Sequence, residues 1–324
     1  MRLIPITDRT ACIDGVTMTA VYLLPDGGCI LIDPGHPCDG EALDALLIKE
    51  KLPVRGVLST HMHHDHFGNC RLFAKKYGLP VILPAGEVAG CRSAEALSAA
   101  LGFRSSYRVR QSKTLSSTLG PVDETIGFAQ TSVTVAGAEF EVLHTPGHTV
   151  DCVCFRTPDN VLVVGDVLSS EDVLATLRAP YTGCIAQDLT AKRAVGADSC
   201  SWCVLAHRGF VSGRELPALA EKNIAVVESV VNTVRGILTQ PMSIDEIIPL
   251  FCEARGIYGP TPLHGMQLRH VVGAVLGYLL DRGEAVPETR RGLTHFIPAD
   301  GTPPGGDEAK WDGSEVQGSE NSEK

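Results

Sequence analysis

Residues 60–66 read Thr60-His61-Met62-His63-His64-Asp65-His66, which places four metal-capable side chains, His61, His63, Asp65 and His66, within six positions. Neutral imidazole and carboxylate are the ligands that borderline divalent cations take, zinc foremost. Four such groups at this spacing cannot all face one ion from a regular helix or strand. A loop can fan them toward two neighbouring ions, and the flanks suit a loop. Leu52-Pro53-Val54-Arg55-Gly56-Val57-Leu58 reads as a short buried strand leading in. Phe67-Gly68-Asn69 opens an amphipathic helix carrying Leu72, Phe73, Lys75, Lys76 and Tyr77. A chance cluster explains this poorly, because the chain holds only 11 His in 324 residues.

Outward from that stretch the chain alternates strands with helices. Residues 16–24 and 29–33 are apolar segments separated by Pro25-Asp26-Gly27-Gly28, a hairpin signal. Asp33-Pro34-Gly35-His36 then turns into a helix near 40–51, with Leu43, Leu46 and Leu47 on one face. Residues 81–83 resume a strand. From 84 to 131 the pattern weakens, apart from a helical hint at 94–101 and a basic cluster of Arg104, Arg108, Arg110 and Lys113. An irregular stretch of that length reads as a lid or an excursion over an active site. A hairpin is expected at 132–135 and 139–143, followed by His144-Thr145-Pro146-Gly147-His148-Thr149. Strands at 152–155 and 161–164 follow, the second ending in Gly165-Asp166. A helix near 188–195 precedes a buried strand at 202–205 that ends at Ala206-His207-Arg208-Gly209. Apolar strands thus deliver metal-capable side chains at or just beyond their C-terminal ends, where ligands cluster in layered α/β folds.

From about residue 215 the character changes. Helical patterns at 218–238, 243–253 and 267–281 precede two short strands near 283–286 and 292–297, the outline of a winged-helix module. We therefore expect a catalytic domain over 1–214, a helical, winged-helix-like domain over 215–299 and a disordered acidic tail over 300–324. That tail carries seven acids against Lys310 and Lys324, half of the formal net charge of −10. Residues 215–299 hold nine acids and seven Lys or Arg, the wrong balance for a phosphate-backbone binder. Hydrophobic residues at 44% and charged residues at 20% suffice for a sizeable core. No apolar run approaches the roughly 20 residues of a membrane span. The N-terminal residues lack a signal-peptide pattern, so the 11 Cys are expected to stay free in a reducing, cytoplasmic setting. Cys152 and Cys154, and the Cys200-Ser201-Trp202-Cys203 pair, read as buried core thiols.

His61-Met62-His63-His64-Asp65-His66 resembles the H-x-H-x-D-H signature of the metallo-β-lactamase superfamily. Asp33-Pro34-Gly35 is similar to that family's upstream D-x-G turn, and Thr145-Pro146-Gly147-His148-Thr149 to its second histidine motif. Gly165-Asp166 resembles the bridging-aspartate motif, and Ala206-His207-Arg208-Gly209 the last histidine motif. Order and intervals fit from roughly residue 15 to 210, with a glyoxalase II-like branch as the nearest pattern. The resemblance implies a four-layer αββα sandwich with a dinuclear site on one edge. His61, His63 and His148 would bind the first metal; Asp65, His66 and His207 would bind the second; Asp166 would bridge them. Two zinc ions are the implied cofactors, with iron or manganese also compatible with the ligand set. A hydroxide held between two cations is a nucleophile at neutral pH, and Asp65 would orient it as the catalytic residue.

Around that set, Asp33 is expected to support a ligand, His144 to donate a hydrogen bond beside the site, and His64 to be structural. His36 reads as either a substrate contact or a surface turn, and His264, His270 and His295 as structural. The family's last motif has Gly before and after its His, where this chain has Ala206 and Arg208. A fixed charge at Arg208 would oppose a second cation unless it points away or pairs; its alternative reading is a contact to an anionic substrate. The leading expectation is a dinuclear hydrolase of a small ester, thioester, lactone or phosphodiester. A single-strand endoribonuclease and a mononuclear iron sulfur dioxygenase are the alternatives within the superfamily, and a non-catalytic binding module is the alternative outside it. A small-molecule substrate is the expected partner, the basic cluster at 104–113 reading as a solvated face ahead of a contact to an anionic one; nucleic acid is disfavoured by charge without being ruled out, and no membrane contact is expected.

Overall fold

The computed structural model describes residues 1–102, 106–259 and 262–299, so Arg104 and the expected tail over 300–324 lie outside the described residues. Five strands come first: β1 (Leu3–Pro5), β2 (Thr10–Ile13), β3 (Thr19–Leu23), β4 (Cys29–Ile32) and β5 (Val54–Leu58). They form one sheet in that order, antiparallel until β4 and β5, which run parallel. A parallel pair needs a crossover, and α1 (Gly40–Lys49) supplies it. Period-two alternation then sorts the side chains of this sheet. In β4, Cys29 and Leu31 face the helices with Leu43 and Leu47, whereas Ile30 and Ile32 face the opposite sheet.

After β5 the chain makes a single helical turn, α2 (His64–Phe67), and then α3 (Cys70–Tyr77). The ligand-bearing stretch is therefore half loop and half helix rather than a plain loop. The Phe67 and Gly68 amides donate to the carbonyls of His63 and His64, at 2.8 and 3.1 Å, which winds Asp65 and His66 onto a different heading from His61 and His63.

Between β6 (Ile82–Pro84) and β7 (Glu124–Ile126), which pair in parallel, the expected irregular excursion is helical. It carries α4 (Val88–Cys91), α5 (Ala94–Ala100), α6 (Tyr107–Gln111) and α7 (Lys113–Ser116). Each is too short to repeat a 3.6-residue period. The Ser residues that made the stretch look like loop are caps: Ser93 accepts from the Ala96 amide and Ser112 from the Leu115 amide, both at 3.1 Å. Cys91, Ala94, Leu97 and Val109 tuck under the first sheet's helix layer.

The second sheet holds β8 (Ser132–Val135), β9 (Ala138–His144), β10 (Val153–Arg156) and β11 (Val161–Val163). After α8 (Glu171–Leu174) and α9 (Ile185–Gly196), it is completed by β12 (Trp202–Val204) and β13 (Phe210–Ser212), in the order 13-12-11-10-9-8. The sequence reading did not include β13, whose three half-buried residues show no apolar run. β11 and β12 are parallel, with α9 in the crossover. Here Val153, Phe155, Val161 and Val163 meet the first sheet, while Cys154 and Leu162 face α9 and the following helix. The result is helix, sheet, sheet, helix: the expected αββα sandwich. All 11 Cys are free, and Cys152, Cys154, Cys200 and Cys203 are buried.

The C-terminal region holds α10 (Leu216–Ile237), β14 (Met242–Ser243), α11 (Ile244–Arg255) and α12 (Pro262–Asp281). It ends in the hairpin of β15 (Ala285–Arg290) and β16 (Leu293–Pro298), with β14 pairing β16. Three helices and a small hairpin are therefore present as expected. Leu216, Leu219 and Ala220 of α10 pack into the sandwich's own core cluster. No helix among the described residues is long and apolar enough to cross a membrane.

Candidate metal centre

The parallel pairs β4–β5 and β11–β12 end at one edge of the sandwich, and the ligand-type side chains hang from those ends. β4 leads to Asp33, β5 to His61, β11 to Asp166 and β12 to His207. The loop after β9 brings His148, and α2 brings Asp65 and His66. Two groups result, each with ligand atoms within 4.8 Å of one another: His61, His63, His148 and Asp166, and Asp65, His66, Asp166 and His207. All seven residues singled out in the sequence thus converge, divided between the two groups as the resemblance implied, and Asp166 belongs to both. Its Oδ1 lies 3.2 Å from His66 Nε2 and 3.5 Å from His207 Nε2, and its Oδ2 lies 3.3 Å from His148 Nε2. Asp65 Oδ2 is 3.6 Å from His207 Nε2.

Hydrogen bonds behind the rings fix which nitrogen faces inward. His66 Nδ1 donates to Asp33 at 2.9 Å, His148 Nδ1 to the Tyr181 carbonyl at 3.1 Å, and His207 Nδ1 to the Val16 carbonyl at 3.3 Å. His61 Nδ1 is 3.0 Å from Thr60 Oγ1. Each of these rings therefore turns Nε2 toward the centre, while His63 presents Nδ1, 3.0 Å from His148 Nε2. Buried His61 Nε2 and His66 Nε2 make no hydrogen bond. Inward lone pairs crowded together, with buried nitrogens lacking a donor, are what a cation would satisfy, so the donor set fits divalent metal. Burial pushes His61, His63 and His148 below the ordinary His range, His63 to about 3, favouring the neutral form that ligates.

The surrounding residues sort cleanly. Asp33 is buried with its backbone in the left-handed region (φ 52°), and it accepts from Ser59, from the Thr60 amide and hydroxyl, and from His66. That is the supporting role expected of it. His64 joins neither group; its ring meets His36 edge-on with centroids 5.4 Å apart. His36 Nδ1 accepts from the Cys38 amide as a turn contact. His144 lies 3.2 Å from Asp151 and 3.1 Å from the Gln130 carbonyl. Arg208 is exposed. It occupies the left-handed region itself (φ 68°), the conformation for which the family motif uses Gly.

Three features escaped the sequence reading. Gly147 has φ 139°, and a Cβ there would lie 2.3 Å from the Asp188 amide nitrogen, so only Gly lets the His148 loop seat on α9. Tyr181 packs its ring against His63 and His148 on one side and stacks on His270 of α12 at 4.7 Å on the other. Burial pushes its phenol up to about 12. His270, expected to be merely structural, thus forms part of the wall of a cavity of about 540 Å³ that opens beside His63 and His148. Pro180 and Gly183 flank it as loop-forming residues, but nothing local indicates where an aromatic between them will pack.

A sandwich of this topology with a shared-aspartate His/Asp centre on one edge defines a class of metal-binding α/β proteins. The Metallo-beta-lactamase superfamily profile matches residues 14–207, and the chain belongs to that superfamily. It is 29% identical over 143 residues to a hydroxyacylglutathione hydrolase of Chromohalobacter salexigens, covering 44% of this chain and 43% of that one. It is 27% identical over 154 residues to a probable metallo-hydrolase of Bacillus subtilis, covering 47% and 67%. The match thus spans less than half the length of the hydroxyacylglutathione hydrolase. A beta-lactamase domain protein from Burkholderia ambifaria superposes with TM-score 0.66 at 17% identity, over 92% of this chain and 93% of that one. A metallo-beta-lactamase family protein from Thermus thermophilus superposes with TM-score 0.64 at 19% identity, over 91% and 97%. Those two likenesses include the C-terminal region and speak to the fold.

Proposed function

We propose that this chain is a metal-dependent hydrolase that holds two divalent cations, zinc foremost, and cleaves a small ester, thioester, lactone or phosphodiester. The observation that carries this reading is the pair of ligand groups sharing Asp166. His61, His63 and His148 would hold one cation; Asp65, His66 and His207 the other; Asp166 would serve both. Bound there, the cations would supply water activation at neutral pH and Lewis acidity toward the scissile carbonyl or phosphoryl oxygen. Asp65, partly exposed as Asp166 is, would accept a hydrogen bond from the attacking water and orient it. Asp33, Thr60 and the Tyr181 carbonyl keep the imidazoles in the ligating tautomer.

The position of His207 favours the dinuclear reading over a mononuclear iron sulfur dioxygenase. Its Nε2 stays within reach of Asp65 and Asp166 despite Arg208 next to it. Likeness to a hydroxyacylglutathione hydrolase and to a probable metallo-hydrolase supports hydrolysis of a small molecule over cleavage of RNA, as does the acidic balance of residues 215–299. Free thiols throughout suit a cytoplasmic setting. The test is elemental analysis of the purified protein together with a panel of thioesters, lactones, phosphodiesters and short RNA. Two metals per chain with turnover of a small substrate are expected. One iron per chain with no hydrolysis would overturn the proposal.

A further inference from the structure

We propose that the cavity beside His63 and His148 is an acyl-chain pocket, and that the substrate's acyl group is an uncharged aliphatic chain. This rests on the hydrolase reading and names its substrate class. The cavity, about 540 Å³, lies within the usual size of a small-molecule site, and His63 and His148 join it to the candidate metal centre. A chain entering it therefore leaves its carbonyl end at the ligand cluster.

The walls decide the chemistry. Gly86, Ala89, Gly90, Ala96, Ala99 and Ala100, from the segment around α4 and α5, line one side with nothing larger than a methyl group. Met62 lies buried at the base, and Val150, 74% exposed, stands at the rim as an apolar side chain without a core to join. Tyr181, packed against His63 and His148, and His270 stacked on it complete the wall, with the Tyr181 hydroxyl reaching the Ala100 carbonyl at 3.5 Å. No Lys or Arg is among the described lining residues. The one carboxylate, Glu87, already accepts from the amides of Met62 (3.2 Å) and Asp151 (3.0 Å). An anionic occupant would lose its hydration and gain no cation here. An apolar one gains burial without surrendering a charge's hydration, and leaves Thr149 Oγ1 and His270 Nε2, the buried polar atoms of the wall that make no hydrogen bond, as they already stand. Arg108, Arg110 and Lys113, the described members of the basic cluster, do not line the cavity, and Arg110 pairs with Glu95.

The test uses the metal-loaded protein and straight-chain acyl thioesters of N-acetylcysteamine, from acetyl to decanoyl. Burial of each methylene predicts a rise in kcat/KM of about fourfold per carbon until the cavity is full. Ala99→Leu and Ala96→Leu should each lower the octanoyl-to-acetyl ratio of kcat/KM at least tenfold. A flat or falling series, or preference for a succinyl over a butyryl thioester, would overturn the chain pocket while leaving the hydrolase reading intact. If no thioester is cleaved at any length, the thioester branch of the hydrolase reading fails, and calorimetric titration with octanoate and butyrate decides the pocket separately. Octanoate binding at least tenfold tighter, an advantage lost in Ala99→Leu, sustains the pocket; equal affinities refute it.

Discussion

At Asp33 one carboxylate takes four hydrogen bonds, three from Ser59 and Thr60 and one from His66 Nδ1. All four partners are donors, so an amide in its place must aim N–H at N–H or O–H. Asn also tolerates φ 52° better than other side chains, which makes Asp33→Asn a clean probe of charge and acceptor geometry with the turn retained. We expect a roughly 10- to 100-fold loss of affinity for the metal held by His66, with activity falling in parallel, read by competition with a graded series of chelators. Unchanged affinity would remove Asp33 from the centre's support. Arg208 poses the converse case, a bulky residue in a conformation that costs an L-residue about 1–2 kcal/mol. Part of that gain is returned through the freer unfolded chain of a glycine. Arg208→Gly should therefore raise stability by roughly 0.5–1 kcal/mol in urea unfolding, with metal content unchanged. Loss of metal or of activity in that variant would show that the guanidinium serves the site.

Among the elements, the second sheet is tied to the loop after α9 by one ion pair. Arg156, at the end of β10, binds Asp198 through Nη1 and Nη2 at 3.0 and 2.5 Å, and Asp198 also accepts from the Cys200 amide at 2.7 Å. Burial works against the charged carboxylate, but Arg156 and that amide hold it below the usual range. A depressed acid contributes stability above its unfolded pKa of about 3.9 and loses it as pH falls through the folded value. Asp198→Asn should accordingly cost about 2 kcal/mol at pH 7, and the gap to the parent protein should close below about pH 4. Urea midpoints at pH 7, 5 and 3 test this, and a gap independent of pH would refute it. The same sheet shows what sequence can convey. Residues 152–155 and 161–164 are read correctly because both faces of a central strand are buried, leaving unbroken apolar runs. β13 is missed because an edge strand of three half-buried residues leaves no such trace. Of the helices between β6 and β7 only α5 left a hint, at 94–101; α4, α6 and α7 are missed because one turn carries too few apolar positions to set a period.

At the scale of the whole molecule, the convergence of the two His/Asp groups was legible because motif order along the chain maps onto strand ends, whereas the walls of the site were not. Tyr181 and His270 meet only through the packing of α12 against the sandwich, a contact between residues 89 positions apart that no local pattern encodes. That packing also bears on the expected boundary at 214. Ile185 and Leu189 of α9 share a core cluster with Val227, Val231, Phe251 and Leu276, and α10 contributes Leu216, Leu219 and Ala220 to the cluster of Leu162, Val164 and Val195. Cutting the chain at 214 would bare both sets. Each large aliphatic side chain so exposed forfeits roughly 1.5–3 kcal/mol of burial, and five or six of them match the whole stability of an ordinary domain. A fragment of residues 1–214 should therefore aggregate or lose its near-ultraviolet circular dichroism, and should fail to retain two metals per chain after gel filtration. A monomeric fragment with full metal content would mean instead that the helical region is an appended module, and that the wall formed by His270 is dispensable to the centre.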